Sequence, residues 1–391
     1  MRVGVIGGGQ LARMMGSAAD ALGLDLIVQT PSPHDPAVAI ASDHIFASVD
    51  DAAATARLAQ RCDVITFENE FIDIPALKGL PRSESLFRPR LEAIRPLVDK
   101  LEQREYLRSL ELPVPRFVAL NASTALKPGG VTDPATSTSL SFPLVLKARR
   151  HGYDGKGTYI VHDLAHLHRI LTPEAIAANL WMIEEFIPFE RELAVMVARG
   201  QDGAIATYPV VESVQIDQVC RRVIAGIELP STVSQTTEAI AQTLLQSLDV
   251  VGIFGVELFL TPDNRVLINE IAPRTHNSGH YTIEACITSQ FEQQLRAVCG
   301  LPLGDAALQG PALMVNLLGY ETAEKDYLPQ RQQLAQIPQA AVHWYGKPQS
   351  RPGRKLGHVT VRLDGSQTVA EQADAISRHI ESIWYPSTSI S

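Results

Sequence analysis

Residues 268 to 280 read Ile-Asn-Glu-Ile-Ala-Pro-Arg-Thr-His-Asn-Ser-Gly-His. An apolar run delivers one carboxylate, Glu270. It then breaks into a loop carrying Arg274, His276, Asn277 and His280. An anion binder, two imidazoles and an oxygen ligand for a metal fall within eleven residues, 270 to 280. A core has no use for such a density of polar groups, because each needs a partner once buried. The stretch points to chemistry. A second carboxylate, Glu257, lies on the far side of the turn signal Pro262-Asp263-Asn264. If residues 253–260 and 265–271 form a hairpin closed by a two-residue turn, Glu257 and Glu270 face each other with Cβ atoms about 5 Å apart. Facing carboxylates repel unless a cation or a shared proton lies between them. Oxygen-only ligands suit Mg2+, which takes one or two carboxylates plus phosphates. Another turn length would shift the register and part the pair. On an exposed hairpin face the repulsion would only be screened.

Two glycine-rich turns could face anions. Gly7-Gly8-Gly9-Gln10-Leu11-Ala12 fits a dinucleotide fingerprint between a strand and a helix. The second strand, however, ends Ile27-Val28-Gln29-Thr30-Pro31, without the acid that would hold a ribose. That argues against an NAD oxidoreductase. The turn still aims amides and a helix dipole outward, which suits an anionic ligand or a plain tight turn. His151-Gly152-Tyr153-Asp154-Gly155-Lys156-Gly157 follows the strand Pro143 to Lys147. It is not a phosphate loop of the Walker type, because Gly157 stands where Ser or Thr is required. Its glycines let amides close over phosphates and let the loop move as a lid, unless it is a simple hairpin. Lys147, ending an apolar strand, is costly unless it meets an anion. Lys347, Arg351, Arg354, Lys355 and His358 form a basic run, either a phosphate site or a solvated loop. His162, His166 and His168 lack further ligands at zinc spacing and read as a solvated helix face.

The elements that must position these groups alternate strand and helix at first. Residues 2–6, 24–28 and 63–67 read as strands, with a helix from Leu11 through Met14, Ala18 and Leu22 to Gly23. A parallel doubly wound sheet is expected over roughly the first 95 residues. A helix is expected over 99–110, strands over 143–148, 158–161, 181–186 and 192–198, and a helix over 237–248. Residues 127 to 141 read as a surface loop with little to bury. Val359, Val361 and Leu363 alternate as a strand of a smaller C-terminal region.

With 391 residues the chain needs two or three cores. Its net charge of -9 argues against nucleic acid or an anionic membrane as main partner. Cys62, Cys220, Cys286 and Cys299 form no Cys-x-x-Cys pair and read as reduced thiols of a cytoplasmic protein. The start reads as a strand entering a turn rather than a signal peptide, and no apolar run is long enough to span a membrane.

Together these motifs resemble the ATP-grasp superfamily, and closely the 5-(carboxyamino)imidazole ribonucleotide synthetases of purine biosynthesis. The matching stretches are 7–14, Thr-Phe-Glu-Asn-Glu at 66–70, 152–157, Glu-Glu-Phe-Ile at 184–187, 268–274, 276–280 and the basic run at 347–358. The resemblance implies an N-terminal pre-ATP-grasp sheet over 1–98, a two-lobed ATP-grasp domain over 99–305 and a small C-terminal domain over 306–385. The fold class is therefore α/β and α+β. It implies ATP phosphates on Lys100 and Lys147 under a lid of Gly152, Tyr153, Asp154, Gly155, Lys156 and Gly157. Glu184, Glu185, Phe186 and Ile187 would read adenine, Glu192 the ribose, with Gln215 and Asn269 also at the nucleotide. Glu257 and Glu270 would bind Mg2+, for which Mn2+ can substitute. Tyr153, Arg274, His276, Lys347 and Arg354 would hold 5-aminoimidazole ribonucleotide, with Gln10, Leu11 and Glu70 lining the same pocket. Arg274, His276, Tyr153 and Lys147 would be catalytic. The implied reaction is ATP- and bicarbonate-dependent N-carboxylation through carboxyphosphate, in a cytoplasmic homodimer. Two departures stand out: some members have a histidine at the place of Gln215, and residues 129–140 look inserted. Rival readings are another ATP-grasp ligase with an acyl phosphate intermediate and a non-catalytic nucleotide sensor.

Overall fold

The computed structural model describes residues 1–150, 152 and 156–385. The N-terminal part is a four-stranded parallel sheet, in the order Asp43–Phe46, Asp25–Thr30, Arg2–Ile6, Val64–Phe67. Three of these strands are short and mostly buried, whereas the edge strand Asp43–Phe46 buries only Ile45. Helix Gln10–Leu22 ends at Gly23 in the left-handed conformation, as its sequence anticipates. Its most buried face is Leu11, Ala12, Met15 and Ala19, rotated from the Leu11, Met14, Ala18, Leu22 stripe read from spacing. Met14, Ala18 and Leu22 of that stripe are only partly buried.

Asp99 caps helix Lys100–Ser109, accepting from the amides of Leu101 and Glu102. Its carboxylate also holds Arg149 and Arg150, which ties the helix start to the next lobe. That lobe is a four-stranded antiparallel sheet, in the order Thr158–Val161, Leu144–Ala148, Trp181–Glu185, Phe117–Leu120. The expected surface loop over 127–141 is instead ordered: Ala125–Lys127, Gly130–Asp133 and Thr138–Ser141 form a three-stranded antiparallel sheet. Val131 and Leu140 are buried against the lobe's core. Two inward apolar residues on alternating, hydroxyl-rich strands were enough to make a sheet face.

The remainder is one long antiparallel sheet, from Val266–Ala272 through Gly252–Leu260, Arg191–Arg199, Val211–Ile216, Val219–Ala225, Ala312–Leu318 and Lys355–Arg362 to Ala340–Trp344. The C-terminal region thus extends the central sheet. Helix Ser231–Leu248 begins six residues before the expected Thr237 and packs Ile240, Leu244 and Leu248 on the strands that carry the carboxylates. No helix among the described residues is long and apolar enough to cross a membrane.

Candidate active site

A cleft of about 840 Å³ lies where the three parts meet. At its floor Glu257 pairs with Glu270 across the hairpin. The turn is not the two-residue turn expected. Asn264 sits at a φ of 61°, and Thr261 and Arg265 close a three-residue loop, which shifts the register by one. A β-bulge at Asn269 shifts it back, so Leu258 faces Ile268 while Glu257 faces Glu270. The bulge also turns Asn269 and Glu270 to the same cleft. Burial, Glu270 and Glu192 push the Glu257 carboxyl up to about 8. Burial raises Glu192 to about 7, against the pull of Lys147. Burial would also raise Glu270, but Lys100, 2.7 Å away, outweighs it and holds the carboxyl low. Among the described residues no group of three or more His, Cys, Asp or Glu could hold a metal by itself. Two carboxylates completed by phosphates fit that geometry.

Lys147 meets its anion. Its Nζ lies 2.8 Å from Glu184 and donates to Asn269 Oδ1 at 3.1 Å. Arg104, which no motif pointed to, binds the other oxygen of Glu184 at 2.5 Å and the Asn269 carbonyl at 2.5 Å. Burial works to raise Glu184, yet the two cations hold it at about 2. Beyond it, Glu185, Phe186 and Ile187 line the cleft, with Phe189 stacked on Phe259 at 4.7 Å.

The loop that follows Glu270 is fastened to all three parts. Arg274 forms a two-pronged pair with Glu70 of the N-terminal part, at 2.7 and 3.3 Å. Asn277 and Asn316 of the C-terminal strand exchange amide hydrogen bonds at 3.0 and 2.8 Å. His276 points its Nε2 toward Glu257 at 3.7 Å, while Nδ1 meets Ser278 Oγ at 2.9 Å. Burial, Arg274 and Lys355 lower the His276 pKa to about 4, so the ring is neutral near pH 7. His280 is not part of the cleft; it is fully buried behind it, beside His358. His358, counted in the basic run, is likewise buried, stacked on His343 and bonded to the Tyr345 hydroxyl. Lys347, Arg351, Arg354 and Lys355 do reach the cleft.

The Gly7 to Gly9 turn has no room for an outside anion. Glu68 fills it, accepting from the amides of Gly9 at 2.5 Å and Leu11 at 3.0 Å. A Cβ on Gly9 would lie 2.5 Å from Glu68 Oε1, so glycine here serves the protein's own carboxylate. The signal was present in Thr66 to Glu70, but nothing in the spacing told which glutamate turned inward. Gln10, Leu11 and Glu70 line the cleft beside it.

Of the other described residues singled out from the sequence, Gly152, Lys156, Glu192 and Gln215 border this cleft as well; Gly157 does not, its carbonyl accepting from Ala148. Tyr153, Asp154 and Gly155 lie outside the described residues. Sequence reasoning missed Arg104, Glu68 and the Phe189–Phe259 stack.

A lobed sheet pair enclosing paired carboxylates and buried lysines is the arrangement of an ATP-grasp enzyme, and the ATP-grasp domain model matches residues 105–291. The ribonucleotide synthetase pre-ATP-grasp domain matches 1–95, and the phosphoribosylaminoimidazole carboxylase C-terminal domain matches 312–372. The chain belongs to the N5-carboxyaminoimidazole ribonucleotide synthase family. It is 56% identical to the Synechococcus elongatus protein of that name, over 98% of this chain and 95% of that one. The Thermotoga maritima synthetase structure is 36% identical, with a TM-score of 0.82 over 98% of both chains. The Aspergillus clavatus synthase, solved with ADP and 5-aminoimidazole ribonucleotide, is 31% identical, with a TM-score of 0.82 over 97% of this chain and 98% of that one.

Proposed function

We infer that this protein catalyses the ATP-dependent N-carboxylation of 5-aminoimidazole ribonucleotide to N5-carboxyaminoimidazole ribonucleotide, in purine biosynthesis. The observation that carries the reading is one cleft with a cation-seeking carboxylate pair at one end and a loop of Arg274 and His276 at the other, roofed by Lys347 and Arg354. The domain order and the full-length relatives support it.

Lys100 and Lys147 neutralise phosphate charge, and Lys156 borders the same cleft. Glu184 to Ile187 face the adenine and Glu192 the ribose. Mg2+, or Mn2+ in its place, fits Glu257 and Glu270, because a divalent cation offsets the burial and the carboxylate repulsion that together raise Glu257. When bound it supplies charge neutralisation at the transferred phosphoryl group. Bicarbonate attacks the γ-phosphate, expelling ADP and forming carboxyphosphate, a step that needs positioning and electrostatics more than covalent help. Carboxyphosphate breaks to CO2 and phosphate. The exocyclic amine of the ribonucleotide attacks the carbon, and its proton passes to the freed phosphate. Arg274, fixed by Glu70, and neutral His276 confine the carboxylate species, while Lys347 and Arg354 hold the ribonucleotide phosphate. Neutral His276 can donate or accept a hydrogen bond there without adding charge.

We further assign the working state as a cytoplasmic homodimer, to be checked by analytical ultracentrifugation and by fractionation. Burial pushes the Cys62 and Cys286 thiols up to about 12, which keeps them protonated near pH 7. The decisive assay follows ADP release with bicarbonate or formate, with and without 5-aminoimidazole ribonucleotide. Bicarbonate-dependent release stimulated by the ribonucleotide is expected. Release that prefers formate would favour a different acyl-phosphate ligase of this superfamily.

A further inference from the structure

Helix Gln290–Cys299 buries three glutamines, Gln290, Gln293 and Gln294. A buried amide is costly unless its atoms are bonded, so these side chains must be read as connections. Gln290 Oε1 accepts from the His276 amide at 2.9 Å, and its Nε2 donates to the His276 carbonyl at 2.8 Å. The orientation is fixed chemically, because a backbone N–H only donates and a carbonyl only accepts. The second Nε2 hydrogen faces His280 Nδ1 at 3.0 Å. That nitrogen must therefore accept, which makes His280 a neutral ring with its proton on Nε2. Gly279 is pressed against the same amide: a Cβ there would lie 2.6 Å from Gln290 Oε1.

One helical turn further on, Gln294 Nε2 donates to Thr66 Oγ1 at 2.7 Å, and its Oε1 accepts from the Ile253 amide at 2.7 Å. Thr66 opens the segment that ends in Glu70, the partner of Arg274. Ile253 lies in the strand that carries Glu257. Two amides on one rigid helix thus touch the His276 loop, the Glu70 segment and the Glu257 strand.

We propose that Gln290 and Gln294 are positioning residues, which set His276 and the Glu70–Arg274 pair in register with the carboxylate hairpin. The proposal rests on the ribonucleotide reading above. Neither residue lines the cleft, so each acts through the groups it holds.

The test compares the full-length wild type with Gln290→Leu and Gln290→Glu. Leucine keeps the bulk and removes the three hydrogen bonds. It is expected to lower kcat about 100-fold, the cost of a misplacement near 1 Å. ADP release should then outrun carboxylated product, with the KM for ATP unchanged. Glutamate keeps the shape, but once ionised it sets an oxygen against the His276 carbonyl. Its kcat should recover as pH falls, a trend absent from the wild type. A folded Gln290→Leu enzyme with wild-type kcat and one product per ADP would overturn the proposal. If that variant does not fold, a wild-type pH profile in Gln290→Glu overturns it instead. A wild type whose ADP release ignores the ribonucleotide would sink the substrate reading alone; the positioning claim would then be judged on ATP turnover of the same variants.

Discussion

Glu184, buried, and Glu257, partly buried, lie on antiparallel strands of one cleft, and they behave oppositely. Arg104 and Lys147 grip Glu184 and hold its carboxyl at about 2. Glu257 faces another carboxylate and is pushed up to about 8. The first is a finished piece of structure, whose charges are settled on folding. The second is left unsettled, and a cation or a proton must complete it. Burial alone therefore does not set the charge a carboxylate carries; the sign of its neighbours does.

The largest test of this contrast is Glu184→Gln. Removing one member of a buried ionic cluster leaves charge unpaired, so a loss of about 3–5 kcal/mol is expected in thermal or urea unfolding. A stability equal to the wild type would erase the distinction. The next is pH. Glu257 carries a raised pKa, so its stabilising protonation is fully present below about 4.5 and is lost as pH rises through about 8. Metal-free stability should fall over that window by on the order of a few kcal/mol, and Glu257→Gln should flatten the fall. His276 works the other way. With a pKa lowered to about 4, it costs stability as pH drops below its ordinary value of 6.5, so the difference between wild type and Glu257→Gln isolates the carboxylate. Added Mg2+ should stabilise more at pH 8 than at pH 6, read as a melting-temperature shift. Glu270→Gln is expected to cut metal-dependent turnover about 100-fold, or about 2.7 kcal/mol, with little loss of stability. Near-normal turnover would refute the metal role. Lys347→Ala should raise the KM for the ribonucleotide roughly tenfold, about 1.4 kcal/mol, and spare ATP. An unchanged KM would remove it from the phosphate site.

Much of this contrast was legible from residue order. The Glu257–Glu270 pairing was anticipated from symmetry about the turn, yet the reason is different. A three-residue loop displaced the register by one, and the bulge at Asn269 restored it. Sequence spacing cannot separate those two routes to one pairing. Arg104 was not legible, because its partner is 80 residues away. Nor was the occupant of the Gly7 to Gly9 turn, since Glu68 reaches it from another strand. The sheet over 125–141 was missed because its polar strands bury only a few apolar side chains, a weak periodic signal.

What the sequence by itself determined is most of the elements and the inventory of reactive groups. Strand periodicity, helix caps and glycine turns act over a few residues, so they can be read locally. Only the tertiary structure decided which carboxylates are neutralised. The pairs Arg104–Glu184, Lys100–Glu270 and Arg274–Glu70 join residues 80, 170 and 204 positions apart. Electrostatic partners are set by distance in space, where burial strengthens each interaction, and that distance is fixed only when the sheets have packed.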